Sequence, residues 1–186
     1  MCMTTQKQTR VAVLLGSYRA GSLNRRIAEH LRDHAPAGVT VDVVEGIDAV
    51  PFYNEELDGE TAPASAVALR ESVAAADRVL AVTPEYNGTM PAVLNNAIDW
   101  LSRPYGQGAI VGKPFAAIGA TPTPYGGKWS HEHARHSATI AGALVVEGIV
   151  VDESAVEGDP LEDEAAVQRF LGALDALVAH EVQPAA

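Results

Sequence analysis

The chain alternates short apolar runs with longer amphipathic segments. Residues 11–16, VAVLLG, form an unbroken apolar run closed by glycine, the pattern of a strand buried on both faces. After SYRAGS, the segment LNRRIAEHLRDH puts Leu23, Ile27 and Leu31 on one helical face and Arg25, Arg26, Glu29 and Arg32 elsewhere. Pro36 and Gly38 close that helix, and residues 39–44 read as a second strand before an irregular acidic stretch. The spacing then predicts a helix over 64–75 and a third strand over 79–83. The next helix carries the stripe Met90, Val93, Leu94, Ala97, Ile98 and Leu101. A fourth strand is expected over 115–120, a helix over 129–140 and a short fifth strand over 144–146. The acids from Asp152 to Glu164 read as a charged loop and helix start, with Asp159 and Pro160 at its entrance. Val167, Phe170, Leu171, Leu174, Leu177 and Val178 mark the apolar face of a last helix. Residues 1–9 and 182–186 are expected to be frayed tails.

Strands alternating with helices imply an α/β fold, a parallel sheet covered on both faces. Five such strands fit a doubly wound, flavodoxin-like, three-layer sandwich of strand order 2-1-3-4-5. Ligands of such sheets bind beyond the strand ends where the order reverses, here between the first and third strands. The loops leaving those strands are GSYRAGSLN and PEYNGTMP. With 186 residues and no linker or repeat, the expectation is a single domain over residues 1–186.

Composition narrows the choice of ligand. A net charge of −11 disfavours nucleic acid and anionic membranes as partners, so an anionic ligand needs a local positive site. Cys2 is the single cysteine, which rules out an internal disulfide and any thiolate-built metal cluster within one chain. No stretch approaches the ~20 apolar residues of a membrane span. The opening MCMTTQKQTR lacks the apolar run of a secretory signal. A cytoplasmic setting is the expectation.

In GSYRAGSLN, Ser17, Ser22 and Asn24 are donors, Arg19 is a cation, and Gly16 and Gly21 permit tight turning. A helix beginning near Ser22 would point its unpaired N–H groups into the loop, forming an anion cradle. Neither Gly-Lys-Ser/Thr nor G-x-G-x-x-G is present, which favours one phosphate monoester over a triphosphate or pyrophosphate. The plainer alternative is that Ser22 only caps the helix and Arg19 is solvated. In PEYNGTMP, Gly88 allows close backbone approach, while Pro84 and Pro91 stiffen the turn. Asn87 and its neighbours can address heteroatoms of a planar ligand, and Tyr86 offers an aromatic face. Glu85 is expected to brace the loop or cross a subunit contact. An ordinary turn is the alternative. His131, His133 and His136 look like a solvated surface and no metal site is assigned to them. Trp100 and Trp129 are expected to be packing residues.

Three stretches, LLGSYRAGSLNRRIAEHL, PEYNGTMPAVLNNAIDWLSR and GATPTPYGGKWSHEHAR, resemble the NADPH-dependent FMN reductase family of quinone, chromate and azo-dye reductases. VPFYNEEL at 50–57 is similar to the segment that follows the family's second strand. The resemblance implies non-covalent FMN, with Ser17, Arg19, Ser22, Leu23 and Asn24 at its phosphate. Pro84, Glu85, Tyr86, Asn87 and Gly88 would line its ring, and Thr121, Gly126 and Gly127 the ring's other side. It implies NADPH or NADH as electron donor and quinones, azo compounds, chromate or free flavin as acceptors, in a ping-pong scheme without a catalytic side chain. A homodimer or homotetramer is also implied. A flavodoxin-type electron carrier is the alternative function. The family's Ser-Pro-Gly and Gly-Gly-x-Arg are here Thr121-Pro122-Thr123 and Gly126-Gly127-Lys128-Trp129.

Overall fold

A computed structural model describes residues 8–182. Its centre is a parallel sheet. The apolar runs supply β1 (Thr9–Leu15), β2 (Val39–Val43), β3 (Arg78–Val82) and β4 (Pro114–Thr121), and all eight residues of β4 are buried. The order is β2-β1-β3-β4, continued by β5 (Leu144–Val145), as the doubly wound pattern requires. Thr9 opens β1 and donates its N–H to Gly38 at 2.8 Å, so it does not belong to a frayed tail. Residues 1–7 and 183–186 of the expected tails lie outside the described residues.

The fifth position of the sheet differs from expectation. β5 pairs only with Pro114 and Phe115, and a further strand, β6 (Val151–Ser154), pairs with Ile118–Thr121. Two short strands thus share one edge of β4. The acids of VDES masked β6, because charge normally marks a loop. At an edge these acids find partners: Asp152 meets His131, and Glu153 meets Arg169.

Among the described residues, five α-helices cover the sheet. α1 (Leu23–Asp33) and α5 (Glu164–Ala179) enclose one face, around Ile27, Leu31, Phe170 and Leu174. α2 (Ala64–Ala74), α3 (Ala92–Leu101) and α4 (Lys128–Ile140) enclose the other, around Leu69, Leu94, Trp100 and Phe115. α5 begins later than expected. Its cap is Asp163, whose carboxylate accepts the Ala165 N–H, whereas Asp159 pairs with Arg26 at 2.6 Å. Among the described residues, no helix is long and apolar enough to cross a membrane.

The segment after β2 is irregular yet firmly held. The Asn96 side chain accepts the Tyr53 N–H at 2.8 Å and donates to the carbonyls of Val50 and Pro51. Trp100, fully buried as a packing residue, donates its indole N–H to Pro51 at 2.8 Å. Arg70 grips Asp58 through two bonds of 2.8 and 3.0 Å, a bidentate pairing of guanidinium and carboxylate.

Two expectations follow from this packing. A Cβ at Gly16 would lie 2.0 Å from Thr83 Oγ1, where β1 and β3 leave the sheet. Gly16→Ala should therefore destabilise the protein by about 1–3 kcal/mol, read as a lowered urea midpoint. The Arg70 guanidinium holds the Asp58 carboxyl below the usual carboxylate range, against the opposing effect of burial. A depressed folded value means that the pair's stabilisation is complete above about pH 4 and is lost as pH falls through that value. Asp58→Asn should lower the urea midpoint at pH 7, and its difference from wild type should shrink below about pH 4.

Candidate functional site

The sheet register brings three loops to one edge. Leu15 lies opposite Val82, and Val82 lies opposite Ile118, so the chain leaves β1, β3 and β4 side by side. The loop after β1 and the loop after β3 share a cleft of about 500 Å³ lined by Ser17, Tyr18, Phe52, Tyr86, Pro91 and Val93.

In the first loop, Ser22 caps α1. Its Oγ accepts the Arg25 N–H at 3.3 Å and its hydroxyl hydrogen stays available. The N–H groups of Leu23 and Asn24, in the first turn, have no intrahelical acceptor. Three arginines lie close together in sequence. Arg25 pairs with Glu45 and Arg26 with Asp159, whereas the exposed Arg19 accepts the Ser22 N–H through its carbonyl at 3.0 Å and its guanidinium has no hydrogen bond or ion pair among the described residues. The first turn of α1 contains no acid. Among the described residues, an unpaired guanidinium thus stands three positions ahead of the Ser22 cap of a helix whose first turn carries no acid.

Asn24 does something local sequence could not show. It is buried, its Nδ2 donates to the Ala120 carbonyl and its Oδ1 accepts the Ala120 N–H, both at 2.9 Å. The side chain thus acts as one more strand partner for β4 and pins the start of α1 to the sheet. One amide hydrogen is left for a ligand. Ser17 is also buried. Burial, reinforced by the Asp48 and Glu45 carboxylates, pushes the Tyr18 hydroxyl upward, which keeps it protonated.

The second loop is a tight reversal. Tyr86 and Thr89 exchange both backbone hydrogen bonds, at 3.0 and 3.1 Å, around Asn87 (φ 53°) and Gly88 (φ 72°). Positive φ at both central residues is what an Asn-Gly turn accommodates at low cost. Pro91 then precedes α3 as its cap residue.

The start of α4 holds this loop almost residue by residue. The Ser130 hydroxyl donates to the Pro84 carbonyl at 2.7 Å. The Glu85 carboxylate accepts the N–H groups of Trp129 and Ser130 at 3.0 and 3.3 Å. The Glu85 N–H donates to Thr121 Oγ1 at 2.8 Å, and Thr89 Oγ1 meets His133 Nδ1 at 2.8 Å. Glu85 is therefore a brace: its charge caps the positive end of α4. The third loop is equally close. Gly126 (φ 63°) packs where a Cβ would lie 2.2 Å from the Asp152 carbonyl, and Gly127 precedes α4 as its cap residue. Ser17, Arg19, Ser22, Leu23 and Asn24 thus border one side of the edge, with Pro84–Gly88, Thr121, Gly126 and Gly127 beside them.

His133 and His136 are exposed as expected, but His131 departs from the surface reading. It is fully buried, with Nδ1 2.5 Å from Asp152 Oδ1 and Nε2 3.0 Å from the Thr83 carbonyl. A usable signal was present: His131, Ala134 and Ala138 stand at helical spacing and form the buried stripe of α4. Ser130 shares that buried face, whereas Asp152 carried no comparable signal. Among the described residues, no group of three or more His, Cys, Asp or Glu could hold a metal.

Residues 9–157 match the family described as NADPH-dependent FMN reductase. A quinone reductase of Escherichia coli K12 is 33% identical over 177 residues, covering 91% of this chain and 94% of that one. The chain belongs to the NADPH-dependent FMN reductase family. Another relative, a quinone reductase of Pseudomonas putida, is 42% identical over 127 residues, 68% of each chain. Among solved structures, the flavoenzyme FerB, an NAD(P)H:(acceptor) oxidoreductase of Paracoccus denitrificans, superposes with a TM-score of 0.76 at 32% identity. It covers 91% of this chain and 95% of its own. The departure from the expected arginine at Trp129 has a structural reading. Residue 129 reaches Glu85 through its backbone N–H, so that contact does not depend on the side chain. The indole instead packs on Tyr125, with ring centroids 4.7 Å apart, and stays 38% exposed.

Glu85→Ala removes the acceptor from two first-turn N–H groups of α4. It should cost about 1 kcal/mol, measured as a lowered unfolding midpoint in urea.

Proposed function

We infer that this chain is an NAD(P)H-dependent FMN reductase that passes electrons from NADPH or NADH to small-molecule acceptors, quinones foremost. The observation that carries the reading is the Arg19 guanidinium, unpaired among the described residues, three positions ahead of the Ser22 cap of α1, whose first turn has no acid. In a chain of net charge −11 this favours an anion site there, and a cleft shared with the second loop supports a flat ring beside it. The residues present fit FMN. Ser17, Arg19, Ser22, Leu23 and Asn24 would hold its phosphate through a guanidinium, two hydroxyls, one amide and first-turn N–H groups. Pro84, Glu85, Tyr86, Asn87, Gly88, Thr121, Gly126 and Gly127 would border the ring. Bound there, FMN supplies the two-electron exchange between nicotinamide and acceptor.

The protein's own part is binding and orientation, and no side chain is assigned as acid, base or nucleophile. The start of α4 keeps the second loop in place, and backbone N–H groups along it offer preorganised donors to negative charge. Relatives named as reductases favour an enzyme over an electron carrier. We assign the chain as one flavin-binding domain working in the cytoplasm as a homodimer or homotetramer. The assembly is supported by a groove between α3 and α4, lined by Tyr86, Asn95, His136 and Ser137, and by Tyr105 in the loop after α3 and Ile140 at the end of α4, 85% and 71% exposed.

Purified protein should show a two-band flavin spectrum, alone or after FMN addition, that bleaches with NADPH or NADH under anaerobic conditions. Protein that stays colourless in the presence of FMN overturns the reading. Arg19→Ala should weaken FMN binding by roughly 10-fold or more in a fluorescence titration, and an unchanged affinity removes Arg19 from the phosphate site.

A further inference from the structure

The contacts of His131 form a chain across three elements. Asp152 on β6 holds Nδ1, the ring lies buried within α4, and Nε2 meets the carbonyl of Thr83, the first residue beyond β3. A backbone carbonyl only accepts, so Nε2 must carry a hydrogen. The contact between Nδ1 and Asp152 Oδ1 ties the other side of the ring to β6. Held from the Asp152 side, the ring has one orientation in which it can serve Thr83.

Thr83 is where the second loop is aimed. The residues that follow it are Pro84, Glu85 and Tyr86, and each has its own tie to the surroundings. Those ties can form only if the chain leaves β3 in the right direction. Gly119 shows how little room there is, since a Cβ on it would lie 2.2 Å from the same Thr83 carbonyl. The carbonyl is fixed by packing on one side and by an imidazole N–H on the other.

We propose that His131 is a positioning residue, oriented by Asp152, that sets the course of the Thr83–Tyr86 segment and thereby the donors this segment presents to the flavin ring. The flavin clause rests on the function proposed above. The aim of the segment does not, and it can be measured in protein free of FMN.

The test compares His131→Leu, His131→Gln and Asp152→Ala with wild type by amide hydrogen exchange in FMN-free protein and by FMN titration. His131→Leu leaves the Thr83 carbonyl without a donor. Exchange at the Glu85 and Tyr86 amides should rise by roughly 10-fold, while β1 and β3 amides keep their protection. FMN affinity should fall by a similar factor, about 10-fold. His131→Gln carries an amide nitrogen near the Nε2 position and should restore most of both. Should His131→Leu fail to fold, Asp152→Ala, on an edge strand, decides the matter by raising exchange at the same two amides. Unchanged loop exchange in His131→Leu, or in Asp152→Ala where that variant decides, overturns the proposal. So does a uniform loss of protection across the sheet, or a glutamine variant as defective as the leucine one. If wild-type protein binds no FMN, the proposed function fails, and the exchange measurements still decide whether His131 positions the loop.

Discussion

Beyond Val82 the third strand runs out of neighbours, and the carbonyls of Thr83 and Pro84 must find donors elsewhere. A buried carbonyl without a donor is costly, so the chain supplies donors from the start of α4: an imidazole N–H for Thr83 and a hydroxyl for Pro84. The exchange runs both ways. The first N–H groups of α4 are orphans by helix geometry, and the Glu85 carboxylate accepts two of them. Loop and helix complete each other, and the position of everything that borders the proposed ring site follows from that.

The electrostatics are arranged around the same edge. The chain is strongly acidic, yet the first turn of α1 has no acid, and of the three nearby arginines only the Arg19 guanidinium is without an ion pair among the described residues. At the neighbouring α4 the protein does the reverse and places Glu85 on the helix's positive end. The first turn of α1 carries no acid, whereas that of α4 is closed by the protein's own carboxylate. Under the proposed function, that asymmetry separates a ligand site from a structural cap more sharply than the residue types do. It also accommodates Trp129, because the α4 cap uses backbone N–H groups and leaves that side chain free to vary.

Much of the fold was readable because its signals are local. Hydrophobic pattern marked β1 to β4, and the stripe from Val93 to Leu101 marked α3, while Met90 of the expected stripe lies ahead of the Pro91 cap. β6 was not readable, since VDES looks like a loop until Ile118–Thr121 is known to lie alongside it. The start of α5 moved from Asp159–Pro160 to Asp163 for a related reason: Asp159 is engaged by Arg26, 133 positions away.

Sequence alone determined the strand and helix alternation, the two loops at the point where strand order reverses, the Asn-Gly turn and the capping serine. Each of these depends on residues within a turn or two of one another, where periodicity and backbone preference act. Only the tertiary structure decided that Asn24 pairs with Ala120, that Glu85 caps α4, and that His131 is buried against Thr83. Those partners stand 96, 44 and 48 positions apart. Polar side chains at such separations reveal their partners only when the sheet register sets them side by side, because hydrogen bonds are short-ranged and local pattern carries no information about distant neighbours.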